Sequence, residues 1–301
     1  MDGTILRVNN LSKKYGSKTV LNNVSFSVEK GKIYGFIGEN GAGKTTTIRA
    51  LTGLTDAPEG TVELFGASDK KGLYNARKKI GCLVENPILD MGKTAWQNLE
   101  MQQVLYGRED KSKIEPLLSR VGLGDVKNKK VKNFSMGMKQ RLGIAMTLVF
   151  SPELLILDEP VNGLDPVGMY EVRELLRSLC EDDGITILIS SHILTELYQL
   201  ATDYIIISHG EIIDTLSREQ LDERCSSYIT LETDQTAAAI EVLHEKGVES
   251  VGYEGNSIKV YDDVPIKSIA RWMFDSKILV TLLMRNERSL ESYYIDLLGR
   301  N

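Results

Sequence analysis

The run Gly38-Glu39-Asn40-Gly41-Ala42-Gly43-Lys44-Thr45 carries the residue types that hold phosphate, and it fits the spacing G-x-x-x-x-G-K-[ST] once in the chain. Glycine at positions 38, 41 and 43 lets the backbone wrap close to an anion and aim its N–H groups inward. A helix opening at Lys44 would offer its positive N-terminus to the same anion. Lys44 would then reach the β- and γ-phosphates of a nucleoside triphosphate, and the Thr45 hydroxyl would ligate Mg²⁺. Asn40, Ala42 and Thr46 complete the candidate binding segment. A glycine-rich turn can match this spacing by chance, so the context decides: a strand must precede it and a helix must follow. Ile33-Tyr34-Gly35-Phe36-Ile37 reads as a short buried strand, and Lys44 to Leu51 reads as a helix.

Further along, Leu154-Leu155-Ile156-Leu157-Asp158-Glu159 is an apolar strand ending in two acids. Such a strand end could place Asp158 beside the phosphate loop to hold Mg²⁺, directly or through water. Glu159 could orient or deprotonate an attacking water. Two solvated acids at the start of a loop are the plainer alternative; the phosphate loop favours the catalytic one. His192 follows the strand Ile185–Ile189 and is well placed to touch a γ-phosphate, although a lone histidine after a strand is more often structural. His209 and His244 match no motif and are assigned structural positions.

The elements that would position these residues alternate. Residues 4–10, 24–29 and 61–65 alternate apolar and polar residues as strands do. Residues 95–106 and 110–122 look helical, with Pro116 expected to shorten or kink the second. Met138, Leu142, Ala145 and Val149 recur at helical spacing over 136–149, and helices are expected over Pro166–Cys180 and Ile193–Ala201. Strands interleaved with helices imply a largely parallel sheet covered by helices. After about residue 219 the order changes to β-α-β-β-α-β-α: strands at 227–233, 248–253, 257–261 and 278–285, helices at 235–246, 265–275 and 289–299. That order suits a small ferredoxin-like domain.

A length of 301 residues suggests a large domain plus a smaller one. The formal net charge of −6 argues against nucleic acid as the main partner. Cys82, Cys180 and Cys225 lie far apart without metal spacing and read as inert buried thiols of a reducing compartment. Residues 1–10 lack the apolar core of a signal peptide. No stretch approaches the roughly 18–20 apolar residues that span a bilayer. The chain is therefore expected in the cytoplasm, acting on any membrane process through a partner.

Phe134-Ser135-Met136-Gly137-Met138-Lys139-Gln140-Arg141-Leu142, just before the carboxylate strand, resembles the signature motif of ABC transporter ATPase subunits. Ser135 and Gly137 match the usual Leu-Ser-Gly-Gly-Gln; Phe134, Met136 and Met138 depart from it. Other elements fall in the family's order. Tyr15 stands where the adenine-stacking aromatic does. Glu85 stands where a glutamine is usual. Asn162-Gly163-Leu164-Asp165 after Pro160 resembles the D-loop, and His192 the switch histidine. The resemblance covers residues 4–217.

It implies a P-loop NTPase of the ABC ATPase fold: a mixed, largely parallel sheet core over residues 1–218 with a helical subdomain at about 86–150. Residues 219–301 would form an accessory α+β domain like the C-terminal extension of some drug-resistance and peptide-immunity ATPases. It implies ATP and Mg²⁺ as ligands, with Glu159, His192 and Lys44 catalytic and Thr45, Asp158 and Glu85 toward the metal. Ser135 and Gly137 would cradle the γ-phosphate of ATP bound to the other subunit of a homodimer or heterodimer. Without the resemblance, Ser135 reads as a helix N-cap and Tyr15 as an exposed loop aromatic.

The partner it implies is a separate transmembrane permease, whose coupling helix would dock near the Glu85 loop along residues 86–106 and hold the chain at the inner face of the membrane. Cargo would be moved by that permease. The sequence around Ser135 together with Glu85 looks like the group exporting bacitracin-type or lantibiotic peptides. A soluble ABC-type ATPase acting on ribosomes or DNA is the alternative; such relatives carry a second ATPase core or long coiled-coil insertions, and neither is seen here. A non-catalytic nucleotide-binding regulator would be expected to lack Lys44, Glu159 or His192.

Overall fold

The alternating pattern at the start of the chain folds as a hairpin, β1 (Thr4–Tyr15) and β2 (Lys18–Glu29), paired antiparallel. Both strands outrun the alternation that predicts them, because pairing continues through register shifts as far as Tyr15 and Lys18. This computed structural model describes residues 3–58, 61–107, 110–225, 227–286, 293–295 and 297. β3 (Ile33–Ile37) is buried along its whole length and runs through the glycine-rich turn into α1 (Lys44–Thr52). β4 (Val62–Leu64) joins β1, giving a three-stranded sheet in the order β2-β1-β4.

α2 (Lys70–Ala76) and β5 (Ile80–Leu83) lead to three helices that pack on one another: α3 (Ala95–Leu105), α4 (Ile114–Arg120) and α5 (Met136–Leu148). Thr94 and Gln97 close the start of α3 as a reciprocal capping box. α4 is shorter than the pattern over 110–122 predicts. Pro116 falls in its first turn, where a backbone N–H would have no helical partner, so it fits without kinking the helix.

β6 (Leu154–Asp158), α6 (Pro166–Glu181), β7 (Thr186–Ser191), α7 (Leu194–Leu200), β8 (Asp203–Ser208) and β9 (Glu211–Ser217) complete the second sheet. Its order is β5-β6-β7-β3-β8-β9, parallel except for the last pair. β6 and β7 are buried throughout, as the inner strands of a helix-covered parallel sheet must be. One hydrophobic cluster joins Leu6, Leu21 and Val24 of the hairpin to Phe36, to Ile48 and Leu51 of α1, and to Ile156 and Ile207. α1 is thereby held along its buried face, and the turn before it is fixed at both ends.

Contacts divide the chain into two units, Met1–Arg218 and Glu219–Asn301. α8 (Arg218–Arg224) opens at the division. In the second unit β10 (Tyr228–Thr233), α9 (Thr236–Glu245), β11 (Val251–Glu254), β12 (Ser257–Val260), α10 (Ile266–Asp275) and β13 (Val280–Asn286) follow in that order. The sheet is antiparallel in the order β11-β12-β10-β13, the ferredoxin-like arrangement, over a core that includes Ile229, Leu231, Leu243, Ile258 and Met273. The helix expected at 289–299 lies mostly outside the described residues.

Cys82, Cys180 and Cys225 form no disulfide. Cys180 is buried, and burial pushes its thiol above the usual range, which makes it inert. Cys82 departs from the expectation of burial: it is exposed, on a strand that edges the sheet.

Candidate nucleotide-binding site

The carboxyl ends of β3, β6 and β7 lie side by side, the place where open α/β sheets take ligands. From β3 the chain turns through Gly41 (φ 86°) and Gly43 (φ 115°), left-handed conformations that glycine adopts without strain. A Cβ at Gly38 would stand 2.6 Å from the Ile207 carbonyl oxygen, and one at Gly43 2.6 Å from Leu21 Cδ2. The loop is thus packed from behind and must open toward solvent, where Asn40 and Gly41 are exposed. Ala42 and Lys44 are buried, and Thr45 and Thr46 are half-buried on the first turn of α1.

Lys44 Nζ donates to the Gly38 carbonyl at 2.6 Å and the Glu39 carbonyl at 3.3 Å, and lies 3.3 Å from Glu159 Oε1. A buried ammonium needs such partners. Thr45 Oγ1 donates to Asp158 Oδ2 at 2.8 Å. Ser190 Oγ donates to Asp158 Oδ1 at 2.5 Å and accepts from the Glu159 N–H at 3.0 Å. The backbone of Glu159 is left-handed (φ 52°), a conformation that non-glycine residues keep where their surroundings over-determine it. The other carboxylate oxygen, Oε2, is 2.5 Å from His192 Nδ1. A carboxylate can only accept, so Nδ1 carries the proton and Nε2 is left free. Lys44, Glu159 and His192 therefore form one continuous chain of contacts, with Thr45 and Asp158 beside it.

The other expected residues lie elsewhere. Tyr15 is exposed at the end of β1, with the Lys13 ammonium 5.7 Å from its ring centre. Glu85 (φ 64°) is exposed, and its Oε1 is 2.5 Å from Arg49 Nη2 on α1. Ser135 caps α5, its hydroxyl accepting from the Met138 N–H at 3.2 Å. Gly137 is buried on α5 against α6, where a Cβ would stand in ordinary contact, 3.4 Å, with Gly168 Cα. Two contributors went unnoticed in the sequence. Ser190 faces Asp158 only because β6 and β7 pair in that register; Arg49 carries no motif at all.

The family profile described as "ABC transporter" matches residues 21–162. The chain is 36% identical to the bacitracin transport ATP-binding protein BcrA of Enterococcus faecalis, over 98% of this chain and 96% of that one. It is 44% identical to the lantibiotic transport ATP-binding protein SrtF of Streptococcus pyogenes, over 76% of this chain and 99% of that one. This chain belongs to the ATP-binding subunits of ABC transporters. A solved ATP-binding subunit of an ABC transporter superposes with a TM-score of 0.63 at 29% identity, over 73% of this chain and 92% of that one. As an ABC ATPase subunit the chain binds ATP and hydrolyses it to power transport.

Its own residues suit a nucleotide that carries a divalent cation. The loop has the left-handed glycines and the buried ammonium that phosphate requires. Thr45 and Asp158 set one neutral and one anionic oxygen 2.8 Å apart. Mg²⁺ is commonly held this way, by one or two carboxylates with the remaining ligands from phosphate and water.

Proposed function

We propose that Lys44, Glu159 and His192 carry out the hydrolysis of Mg²⁺–ATP in this chain. The observation behind this reading is the single contact chain that runs through the Glu159 carboxylate, from a buried ammonium on one oxygen to an imidazole on the other. Lys44 neutralises phosphate charge and, in doing so, releases Glu159 Oε1. Glu159 then orients the attacking water and takes its proton. His192 holds the second carboxylate oxygen through Nδ1, fixing the direction of the first; as an imidazolium it would also carry a proton on Nε2 to donate to developing phosphate charge. Mg²⁺, held through Thr45 and Asp158, would supply charge neutralisation at the β- and γ-phosphates. Tyr15, about half exposed, is the aromatic on which an adenine ring would stack.

Ser135 and Gly137 open α5 with its N-terminus exposed, and that terminus suits the γ-phosphate of ATP bound to a second ATPase subunit, identical or homologous. The membrane partner is a separate permease: among the described residues no helix is long and apolar enough to cross a bilayer. Ile88 (94% exposed) and the exposed Met91, Met101, Val104 and Leu105 are apolar side chains that a permease helix could cover. The relatives named for bacitracin and lantibiotic transport support export of a peptide antibiotic as the work done.

Substituting Glu159→Gln tests the site. The variant is expected to bind Mg²⁺–ATP, to dimerise with it, and to hydrolyse it ~10²–10⁴-fold more slowly. Unchanged turnover would remove Glu159 from the role of base.

A further inference from the structure

Arg49 and Glu85 form an ion pair that the phosphate loop itself does not require, with Nη2 2.5 Å from Oε1. Arg49 sits four residues after Thr45 on α1. Its side chain therefore leaves the same face about one turn, ~5–6 Å, further along. Leu83 of β5 pairs with Leu157 of β6, so Glu85 leaves its strand beside the end that carries Asp158, and its carboxylate has two candidate cationic partners. One is the guanidinium it rests on; the other is the cation that Thr45 and Asp158 are suited to hold. Glu85 also keeps a left-handed backbone (φ 64°), and such strain persists only where something holds it.

The loop that Glu85 opens has a mechanical connection. Pro87 packs on Gly143 of α5 so closely that a Cβ at that glycine would stand 2.5 Å from Pro87 Cβ. The next residue, Ile88, is almost fully exposed. The loop thus links Glu85 to α5, which Ser135 caps, and to the exposed Ile88. The side chains of the pair are 44% and 61% exposed. An exposed ion pair shifts a local equilibrium by only ~1.4- to 5-fold. That is too little for a structural brace and small enough for a competing cation to overcome.

We propose that Arg49 is the resting counter-ion of Glu85, a positioning residue that holds the carboxylate and the Pro87–Ile88 loop away from the metal edge of the nucleotide site until Glu85 exchanges partners. The proposal rests on the reading of Thr45 and Asp158 as that edge. It also accounts for a carboxylate at position 85, where an unpaired negative charge near phosphate would repel ATP.

The test uses the full-length chain carrying Glu159→Gln, to stop turnover, and Trp272→Phe, so that Trp96 is the one remaining tryptophan. Mg²⁺ is titrated against the ATP-bound protein with Trp96 fluorescence as readout, and hydrogen exchange over residues 84–92 is measured without nucleotide. Arg49→Gln is expected to lower the half-saturating Mg²⁺ concentration ~1.4- to 5-fold and to speed exchange over 84–92. Arg49→Lys, which keeps the charge, is expected to restore most of both. In a Glu85→Gln background, Arg49→Gln is expected to change neither. Equal effects of Arg49→Gln with Glu85 or Gln at position 85, or no effect with Glu85 present, would overturn the proposal. Failure of the metal-edge reading shows differently: Asp158→Asn would leave the Mg²⁺ titration unmoved, while the exchange measurement without nucleotide would still decide whether Arg49 holds the loop.

Discussion

At the scale of single residues, the site is a sequence of satisfied charges. Lys44 is buried against two carbonyls and Glu159, and Asp158 is buried against Thr45 and Ser190. Each charge lies in a place that would be costly without its partner. Ser190→Ala removes the 2.5 Å donor to Asp158 and the acceptor of the Glu159 N–H in one step. The Glu159 N–H keeps the Ser190 carbonyl at 3.1 Å, so the loss falls mainly on Asp158. A hydrogen bond to a charged group contributes about 1.5–3 kcal/mol, so the variant should lose roughly that much stability in a denaturant titration and also lose kcat. Full retention of both would show that Asp158 needs no support from β7. Gly210→Ala should cost at least ~2 kcal/mol, since a non-glycine residue at φ 83° is strained and its Cβ would stand 2.3 Å from the Val20 carbonyl oxygen. Thermal melting measures that loss. The structure brings Lys44, Thr45, Asp158, Glu159 and His192 together, as local spacing led the sequence reading to expect. Ser190, Arg49 and Gly210 were not legible in the sequence, because each depends on a neighbour brought close only by sheet register or by the packing of β2 and α1.

At the scale of elements, three strand ends and one helix start do the positioning, and the cap at Ser135 was visible in advance. Ser135 accepts from the third residue of α5 and Asp165 from Gly168 of α6, as short polar residues at N-caps do. Boundaries were less legible. The bulged pairing of β1 and β2 continues where alternation fails, and the run over 110–122 splits into a single 3₁₀ turn and a short helix. The connection between α6 and α7 was invisible: Arg173 Nη1 meets Glu196 Oε2 at 2.8 Å, with both side chains largely buried. It ties the helix after the D-loop segment to the helix after His192. The apolar surface beside β5 carries its own prediction. Ile88 is almost wholly exposed, so Ile88→Asp should leave the melting temperature within the small range typical of surface changes. Basal ATP hydrolysis should persist while transport by vesicles containing the permease falls. Leu89 is half-buried, which makes Ile88 the cleaner substitution of the two. Undiminished transport would place the docking surface elsewhere.

At the scale of the whole molecule, each unit has hydrophobic packing of its own: one cluster lies between the hairpin sheet and the parallel sheet of the first unit, and another beneath the ferredoxin-like sheet of the second. The sequence reading expects a change of element order after about residue 219, where interleaved βα units give way to a pair of βαβ-type halves; contacts divide the chain between Arg218 and Glu219. Every residue assigned to nucleotide chemistry belongs to Met1–Arg218. A chain ending at Arg218 should therefore fold and bind ATP as the full chain does. Saturating ATP at 100 times its dissociation constant stabilises the binding unit by about 2.7 kcal/mol. For a unit of this size that raises its melting temperature by roughly 5–11 °C. Differential scanning calorimetry of the full chain should show that ATP moves one unfolding transition and leaves another in place. The same shift should survive removal of residues 219–301. A shortened chain with a native far-UV circular dichroism spectrum and no response to ATP would show that the second unit takes part in nucleotide binding. A single transition that ATP shifts as a whole would show that the two units unfold as one.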